Sequence, residues 1–150
     1  MKLEEAIQQN IPFKSAYQKV AVNLLFTHNW FIQIQKQKLK PYGITLQQYN
    51  VLRILRGQFP EPVSTSLIRN RMLDRMSDVS RIIDRLVKKE WVQRKTCKSD
   101  KRLVDVVISH KGLELLKQID SVQKEMDEVL GNLNEEEAAQ LSTLLDKLRG

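Results

Sequence analysis

The chain of 150 residues has one cysteine, few glycines and prolines, and no long apolar run. A single cysteine, Cys97, cannot form a disulfide within the chain and is typical of a reducing compartment. The longest apolar stretch, residues 20–26, is broken by Asn23 and is far shorter than the roughly 18 residues that span a membrane. The N-terminal residues show no apolar signal segment. We therefore expect a cytoplasmic protein without a membrane partner.

Glycine and histidine are too sparse for most catalytic or metal sites. The five glycines are scattered, which argues against a phosphate-binding loop or a dinucleotide fingerprint, and no nucleophile pairs convincingly with a histidine. His28 and His110 lack acidic or cysteine neighbours at ligand spacing. Lys95 and Lys98 beside Cys97 could make it a redox sensor, but it has no resolving partner in its own chain. We expect an inert thiol, no enzyme, no metal site and no cofactor.

Positive charge, by contrast, is abundant and concentrated in one segment. The net charge is +7 and the isoelectric point is near 9.6. Residues 60–102 contain 12 basic and 6 acidic side chains, so they carry nearly all of that excess. A focused basic segment attracts a polyanion, nucleic acid first and anionic lipid second. A solvated basic face is the alternative that charge alone leaves open.

Apolar spacing and capping residues predict a mostly helical chain, with breaks at residues 41–43 and 57–62. The predicted helices cover residues 6–39 with an interruption near Pro12, residues 46–56 after a Thr45–Gln48 capping box, residues 65–72 after Ser64, residues 110–130 after Ser109, and a last segment after Asn134. Two apolar lines run along the first helix, which indicates that it is covered on more than one side. A partner chain is one way to cover the second side.

The middle of the chain predicts one more helix and a hairpin. Asp74 is the predicted N-cap of this helix, with Ser77 at its third position. Apolar residues at 3–4 spacing are its predicted buried face: Met76, Val79, Ile82, Ile83, Leu86 and Val87. Two β-rich strands follow at residues 91–95 and 103–108, joined by a polar, basic loop at residues 96–102.

This order of elements is the layout of a winged helix-turn-helix, and the predicted fold class is mainly α (α+β). A major groove about 12 Å wide admits one helix, whose first turn reaches the base edges. The basic hairpin would lie beside that groove, at phosphates or in a narrow minor groove. The predicted partner is double-stranded DNA. The candidate contacts are Ser64, Thr65, Arg75, Met76, Ser77, Asp78, Ser80, Arg81, Arg85, Lys98, Lys101 and Arg102, with Asp100 stabilising the hairpin by orienting Arg102.

Four fragments of the sequence occur in a specific order. They are GITLQQYNVL at residues 43–52, DVSRIIDRL at residues 78–86, DKR at residues 100–102 followed by VVIS and Gly112, and NEEE at residues 134–137. Together they resemble the MarR family of bacterial transcriptional regulators, in its second helix, recognition helix, wing and last helix. That family usually has Gly-Leu after the recognition helix, where this chain has Glu90-Trp91. Because glycine adopts a left-handed conformation at least cost, we expect a different local turn there.

The resemblance implies a homodimer whose first and last helices interleave. It places dimerisation helices at residues 1–40 and 111–150 and the winged helix at residues 44–110 of a single chain. Two recognition helices would enter successive major grooves of a pseudo-palindromic site, and such regulators often repress a promoter until a small aromatic effector binds. Phe26 and Trp30 are the candidate effector contacts, against the alternative of a core or dimer stripe. A nonspecific architectural DNA binder and a protein-interaction module stay open as other functions.

Overall fold

The computed structural model of the protein describes residues 1–96 and 104–150. The helices are α1 (Leu3–Ala6), α2 (Ala16–Leu39), α3 (Leu46–Arg56), α4 (Thr65–Arg71), α5 (Val79–Lys88), α6 (His110–Val129) and α7 (Glu135–Arg149). The strands are β1 (Val63–Ser64), β2 (Val92–Thr96) and β3 (Val104–Ile108). A mainly helical chain with a small antiparallel sheet confirms the predicted fold class.

Side-chain caps begin four of the helices where the sequence predicted them. Thr45 Oγ1 accepts from the Gln48 amide at 3.2 Å, and Gln48 Oε1 accepts from the Thr45 amide at 3.1 Å, which completes the predicted capping box. The side chains of Ser64, Ser109 and Asn134 accept in the same way from amides in the first turns of α4, α6 and α7. Each such cap contributes about 1 kcal/mol to helix stability.

The predicted interruption of the first helix is present and is wider than expected. Residues 7–15 separate α1 from α2, and α2 begins only at Ala16. Ser15 supplies its N-cap, since its hydroxyl accepts from the Gln18 amide at 3.1 Å. Pro12 lies in the gap, where it has no amide hydrogen to donate and disfavours helical backbone at the residue before it.

The sheet has strand order β1-β3-β2, and both pairings are antiparallel. The long pair aligns Val92 with Ile108 and Thr96 with Val104, which confirms the predicted hairpin strands. β1 was not predicted because two residues are too short to show alternation. Val63 in β1 pairs with Val106, so this strand ties the start of α4 to the sheet.

The core lies where α3, α4, α5 and α6 pack against the sheet. Its fully buried side chains include Leu52, Ile68, Ile83, Leu86, Val106 and Leu116. Burial of one such side chain contributes about 1.5–3 kcal/mol. Because α5 is anchored here by its inner residues, its outer face is presented to solvent.

The N- and C-terminal helices are covered much less than this core. Exposed apolar side chains on α2 and α7 include Tyr17, Val20, Leu24, Leu25, Leu141, Leu144 and Leu148. In α2, Leu39 is buried, and α7 has no buried residue. Among the residues that the structure describes, no helix is both long and apolar enough to cross a membrane.

Candidate nucleic-acid interface

The candidate DNA-facing surface is formed by α4, the turn of residues 72–78 and α5. The predicted N-cap of α5 is wrong, because the cap is Asp78 and not Asp74. Asp78 Oδ1 accepts from the Arg81 amide at 3.1 Å. Asp74 instead closes the preceding turn, where its carboxylate accepts from the Met76 amide and from Ser77 Oγ, both at 3.0 Å. Both aspartates are good caps, and only the backbone shows which of them starts the helix.

This four-residue shift moves several candidate residues out of the helix. Arg75, Met76 and Ser77 lie on the turn before α5, so they do not form its first turn. The prediction that Met76 is core is wrong, because its side chain is 93% exposed. Val79 begins the helix and is buried, so the buried face starts one residue after the cap. Ile83 and Leu86 are buried as predicted, with Ile82 and Val87 partly buried against the same core.

The outer face of α5 carries a basic stripe. Arg81, Arg85 and Lys88 are exposed and recur at spacings of four and three, which places them on one side of the helix. Within residues 1–96 and 104–150, none of the three forms an ion pair. The acidic side chain of this face, Asp84, is paired with Arg94 of β2. The stripe therefore has cationic groups that are available to an anionic partner.

Two side-chain hydrogen bonds hold the segments that precede α5, namely the turn of residues 72–78 and the start of α4. Asn50 Oδ1 of α3 accepts from the Leu73 amide at 3.0 Å and ties the turn to the neighbouring helix. Ser64 Oγ accepts from the Leu67 amide at 3.2 Å, so this candidate residue also caps α4. Thr65 follows it and is half-buried. The sequence predicted no individual role for Asn50. A single asparagine side chain on α3 forms no pattern that would reveal its contact with the distant Leu73 amide.

The end of α5 keeps the left-handed turn that glycine usually adopts. Glu90 has φ +61°, its amide donates to the Val87 carbonyl at 2.9 Å, and the Trp91 amide donates to the Leu86 carbonyl at 3.0 Å. This is the Schellman arrangement with glutamate in the glycine position. The expected change of turn is therefore wrong, and the chain accepts the backbone strain instead.

Glu90 also connects the end of α5 to the start of α6. Its carbonyl oxygen accepts from Ser109 Oγ at 2.7 Å, and its carboxylate accepts from Lys111 Nζ at 2.8 Å. The Lys111 hydrogen bond, with the charge of the same ammonium group, lowers the pKa of the Glu90 carboxyl below its ordinary value. The resulting surface ion pair links the turn after α5 to the first turn of α6.

The tip of the hairpin lies outside the described residues. Lys98, Lys101 and Arg102, the expected DNA contacts there, belong to this part of the sequence, as do Asp100 and Cys97. The strands on either side are described as far as the pair Thr96 and Val104.

The candidate effector residues lie on an open stretch of α2. The side chains of Phe26 and Trp30 are each 42% exposed. A cavity of about 400 Å³ lies between α1 and the beginning of α2, lined by residues that include Glu4, Phe13 and Lys19 but neither candidate. Among the described residues, no cluster of three histidine, cysteine, aspartate or glutamate side chains could hold a metal ion.

The family model described as "MarR family" matches residues 44–104, from the turn before α3 to the first residue of β3. The crystal structure of a MarR transcription factor from Planctomyces limnophilus is 31% identical, covers 90% of this chain and 98% of its own, and superposes with a TM-score of 0.70. The chain belongs to the MarR family. The resemblance predicted from the sequence is thereby confirmed for this MarR-family protein.

Two further relatives of the MarR-family chain bear on function. A mutant of MarR from E. coli, solved in complex with operator DNA, is 25% identical, covers 99% of both chains and has a TM-score of 0.78. The HTH-type transcriptional regulator PecS of Dickeya dadantii is 27% identical over 110 residues. That match spans 71% of this chain and 66% of the length of PecS. The names of these relatives describe a transcription factor, an operator-bound MarR and a transcriptional regulator, and none of them describes an enzyme.

Proposed function

We propose that this MarR-family protein is a sequence-specific DNA-binding transcriptional regulator, with α5 as the helix that enters the major groove. The observation that carries the proposal is the outer face of α5, where Arg81, Arg85 and Lys88 are exposed while the inner face is locked into the core. A buried inner face makes the helix rigid, and an arginine can donate two hydrogen bonds to a guanine edge. The same charges attract phosphates at any sequence.

The candidate residues divide by their position. Arg81 and Arg85 are proposed to reach base edges or adjacent phosphates from α5, with Ser80 donating to a phosphate. Ser64, Thr65, Arg75 and Ser77 are proposed as further contacts at the start of α4 and on the turn. Asp78 is proposed to contribute as the N-cap of α5, since one of its oxygens already accepts the Arg81 backbone amide. In the hairpin, Lys98, Lys101 and Arg102 are proposed to meet the backbone or minor groove, with Asp100 orienting Arg102.

We further propose that the protein acts as a homodimer. The support is the exposed apolar side chains on α2 and α7, within the segments 1–40 and 111–150 that the family resemblance assigns to dimerisation. A two-fold dimer would place two copies of the 44–110 winged helix on one duplex, so the bound site would be pseudo-palindromic.

The proposed regulatory mode is repression relieved by a small aromatic ligand. Phe26 and Trp30 offer half-exposed rings on α2, which an aromatic molecule could stack against. A second copy that packed on α2 would turn this open surface into an enclosed one. Displacement of bound DNA by candidate phenolic compounds, compared with Trp30→Ala, tests this part separately.

The experiment that tests the central proposal is selection of duplexes from a random pool by the full chain. The enriched duplex and a scrambled control are then titrated by fluorescence anisotropy at two salt concentrations. We expect an enriched inverted repeat, one dimer per duplex, and binding that weakens steeply with salt because phosphate contacts release counterions. If no sequence were enriched and two unrelated duplexes bound equally well, an architectural DNA binder would be favoured. Binding of neither duplex at low salt would favour a protein-interaction module.

A further inference from the structure

Two large apolar side chains project from the turn that precedes the recognition helix. Leu73 is 90% exposed and Met76 is 93% exposed, although both lie between the buried residues Met72 and Val79. Single exposed apolar residues are common on protein surfaces and need no explanation. Leu73 and Met76, however, lie within four residues of each other on the segment that leads into the proposed recognition helix. The exposure of both side chains at this position therefore needs an explanation.

Three backbone amides of the turn that carries Leu73 and Met76 donate hydrogen bonds that hold it in place. The Leu73 amide donates to Asn50 Oδ1, and the Met76 amide donates to Asp74 Oδ1, each at 3.0 Å. The Ser77 amide donates to the Asp74 carbonyl at 3.2 Å. With the backbone fixed in this way, the two side chains are presented at a constant position relative to α5.

The surroundings of the two side chains are basic, which selects the kind of partner. Arg69 and Arg71 in the last turn of α4, and Arg75 between the two apolar residues, are exposed. Within the described part of the chain, none of these three arginines forms an ion pair. Duplex DNA satisfies both features at once, since its phosphates are anionic and the C5-methyl group of thymine is the apolar feature of the major groove.

We propose that Leu73 and Met76 contact thymine methyl groups in the major groove beside α5, and so contribute to sequence preference. This inference rests on the proposed function and adds a specificity element to it. Arginine reads guanine through hydrogen bonds, whereas these side chains read thymine by covering its methyl group. Removal of one buried methyl group from such a contact weakens binding about 3- to 5-fold.

The test uses the full chain and the duplex enriched from a random pool. Each thymine of one half-site is replaced in turn by deoxyuridine, which removes the methyl group and keeps base pairing. Affinity is measured for the unaltered protein, for Met76→Ala and for Leu73→Ala. Ile11→Ala, which removes an exposed apolar side chain from the segment between α1 and α2, is the matched control.

We expect one or two thymines at which deoxyuridine lowers affinity about 3- to 5-fold for the unaltered protein and for Ile11→Ala. At one of them the loss should disappear in Met76→Ala or Leu73→Ala, because the partner of the methyl group is already gone. Equal losses in all variants would overturn the proposal, as would a half-site that tolerates every deoxyuridine. In either case, Arg81→Ala is measured on the same selected duplex. If this variant lowers affinity, the proposed function stands without the thymine contacts of Leu73 and Met76.

Discussion

The carbonyl oxygen of Trp91 lies where a side chain at position 112 would begin. A Cβ atom built on Gly112 would come within 2.3 Å of this oxygen and within 2.8 Å of the Ile108 side chain. The same Trp91 carbonyl accepts from the Ser109 amide at 3.0 Å, so the end of α5 and the start of α6 meet at backbone distance. Glycine at position 112 is therefore a packing requirement of the winged helix.

We predict that Gly112→Ala lowers the free energy of unfolding by about 1–3 kcal/mol, as overpacking of a tight contact does. The backbone on one side cannot yield without breaking the Ser109 hydrogen bond. Urea denaturation followed by circular dichroism measures the change. Gly57→Ala is the matched control, because the nearest atoms to its built Cβ are at 3.6 Å, and it should change stability little. Equal effects of both substitutions would contradict the crowding argument.

Glu90→Gly is predicted to raise the thermal midpoint by about 2–3 °C. The reason is that φ +61° strains glutamate and not glycine, and this gain outweighs the loss of a surface ion pair. Differential scanning calorimetry checks the midpoint. The reverse change, Gly43→Ala at φ +62° in open space, should lower it through strain alone. A lower midpoint for Glu90→Gly would mean that the Lys111 contact is worth more than the strain.

The ion pair between Glu90 and Lys111 predicts a pH dependence. Because the pKa of the Glu90 carboxyl is lowered in the folded chain, the pair stabilises the fold above the ordinary value of 4.5. This contribution is lost as the pH falls through the lowered pKa. Lys111→Met should therefore be less stable than the unaltered chain at pH 7, and the gap should shrink as the pH falls below 4.5. A gap that is constant with pH would contradict the prediction, and carboxyl NMR titration measures the pKa directly.

The two aspartates near α5 predict distinct local effects. Asp78→Ala removes the helix cap and should lower the free energy of unfolding by about 1 kcal/mol. Amide hydrogen exchange should then quicken at Arg81. Asp74→Ala should instead quicken exchange at Met76 and leave Arg81 protected, because Asp74 holds only the turn. Loss of Arg81 protection in Asp74→Ala would mean that the turn and the helix open as one unit.

Local signals in the sequence predicted most of the fold. The caps at Thr45, Ser64, Ser109 and Asn134 are confirmed because a hydroxyl or amide before an apolar run acts within its own turn. Hairpin strands with many β-branched residues were predicted for the same local reason. The predicted N-cap of α5 failed because Asp78, four residues after Asp74, is an aspartate of the same capping ability and starts the helix instead.

The candidate site was predicted less completely than the fold. The basic stripe on α5 follows from its periodicity, but the exposure of Met76 depends on where the helix starts. Asn50 meets the Leu73 amide across 23 positions of sequence, and no local pattern encodes such a contact. Glu90 was expected to change the turn after α5, but the turn is kept. The strain of one residue is small compared with the packing that holds the Trp91 carbonyl near α6.

The most direct test of the account compares Arg81→Ala with Arg149→Ala on the selected duplex and on a scrambled one. Both variants lose one positive charge, but Arg149 lies at the end of α7 and pairs with Asp146. We predict that Arg81→Ala loses about 1–3 kcal/mol of affinity for the selected duplex and relaxes its sequence preference. Arg149→Ala should leave both unchanged. If Arg81→Ala kept full affinity and full preference, α5 would not be the helix that reads the DNA.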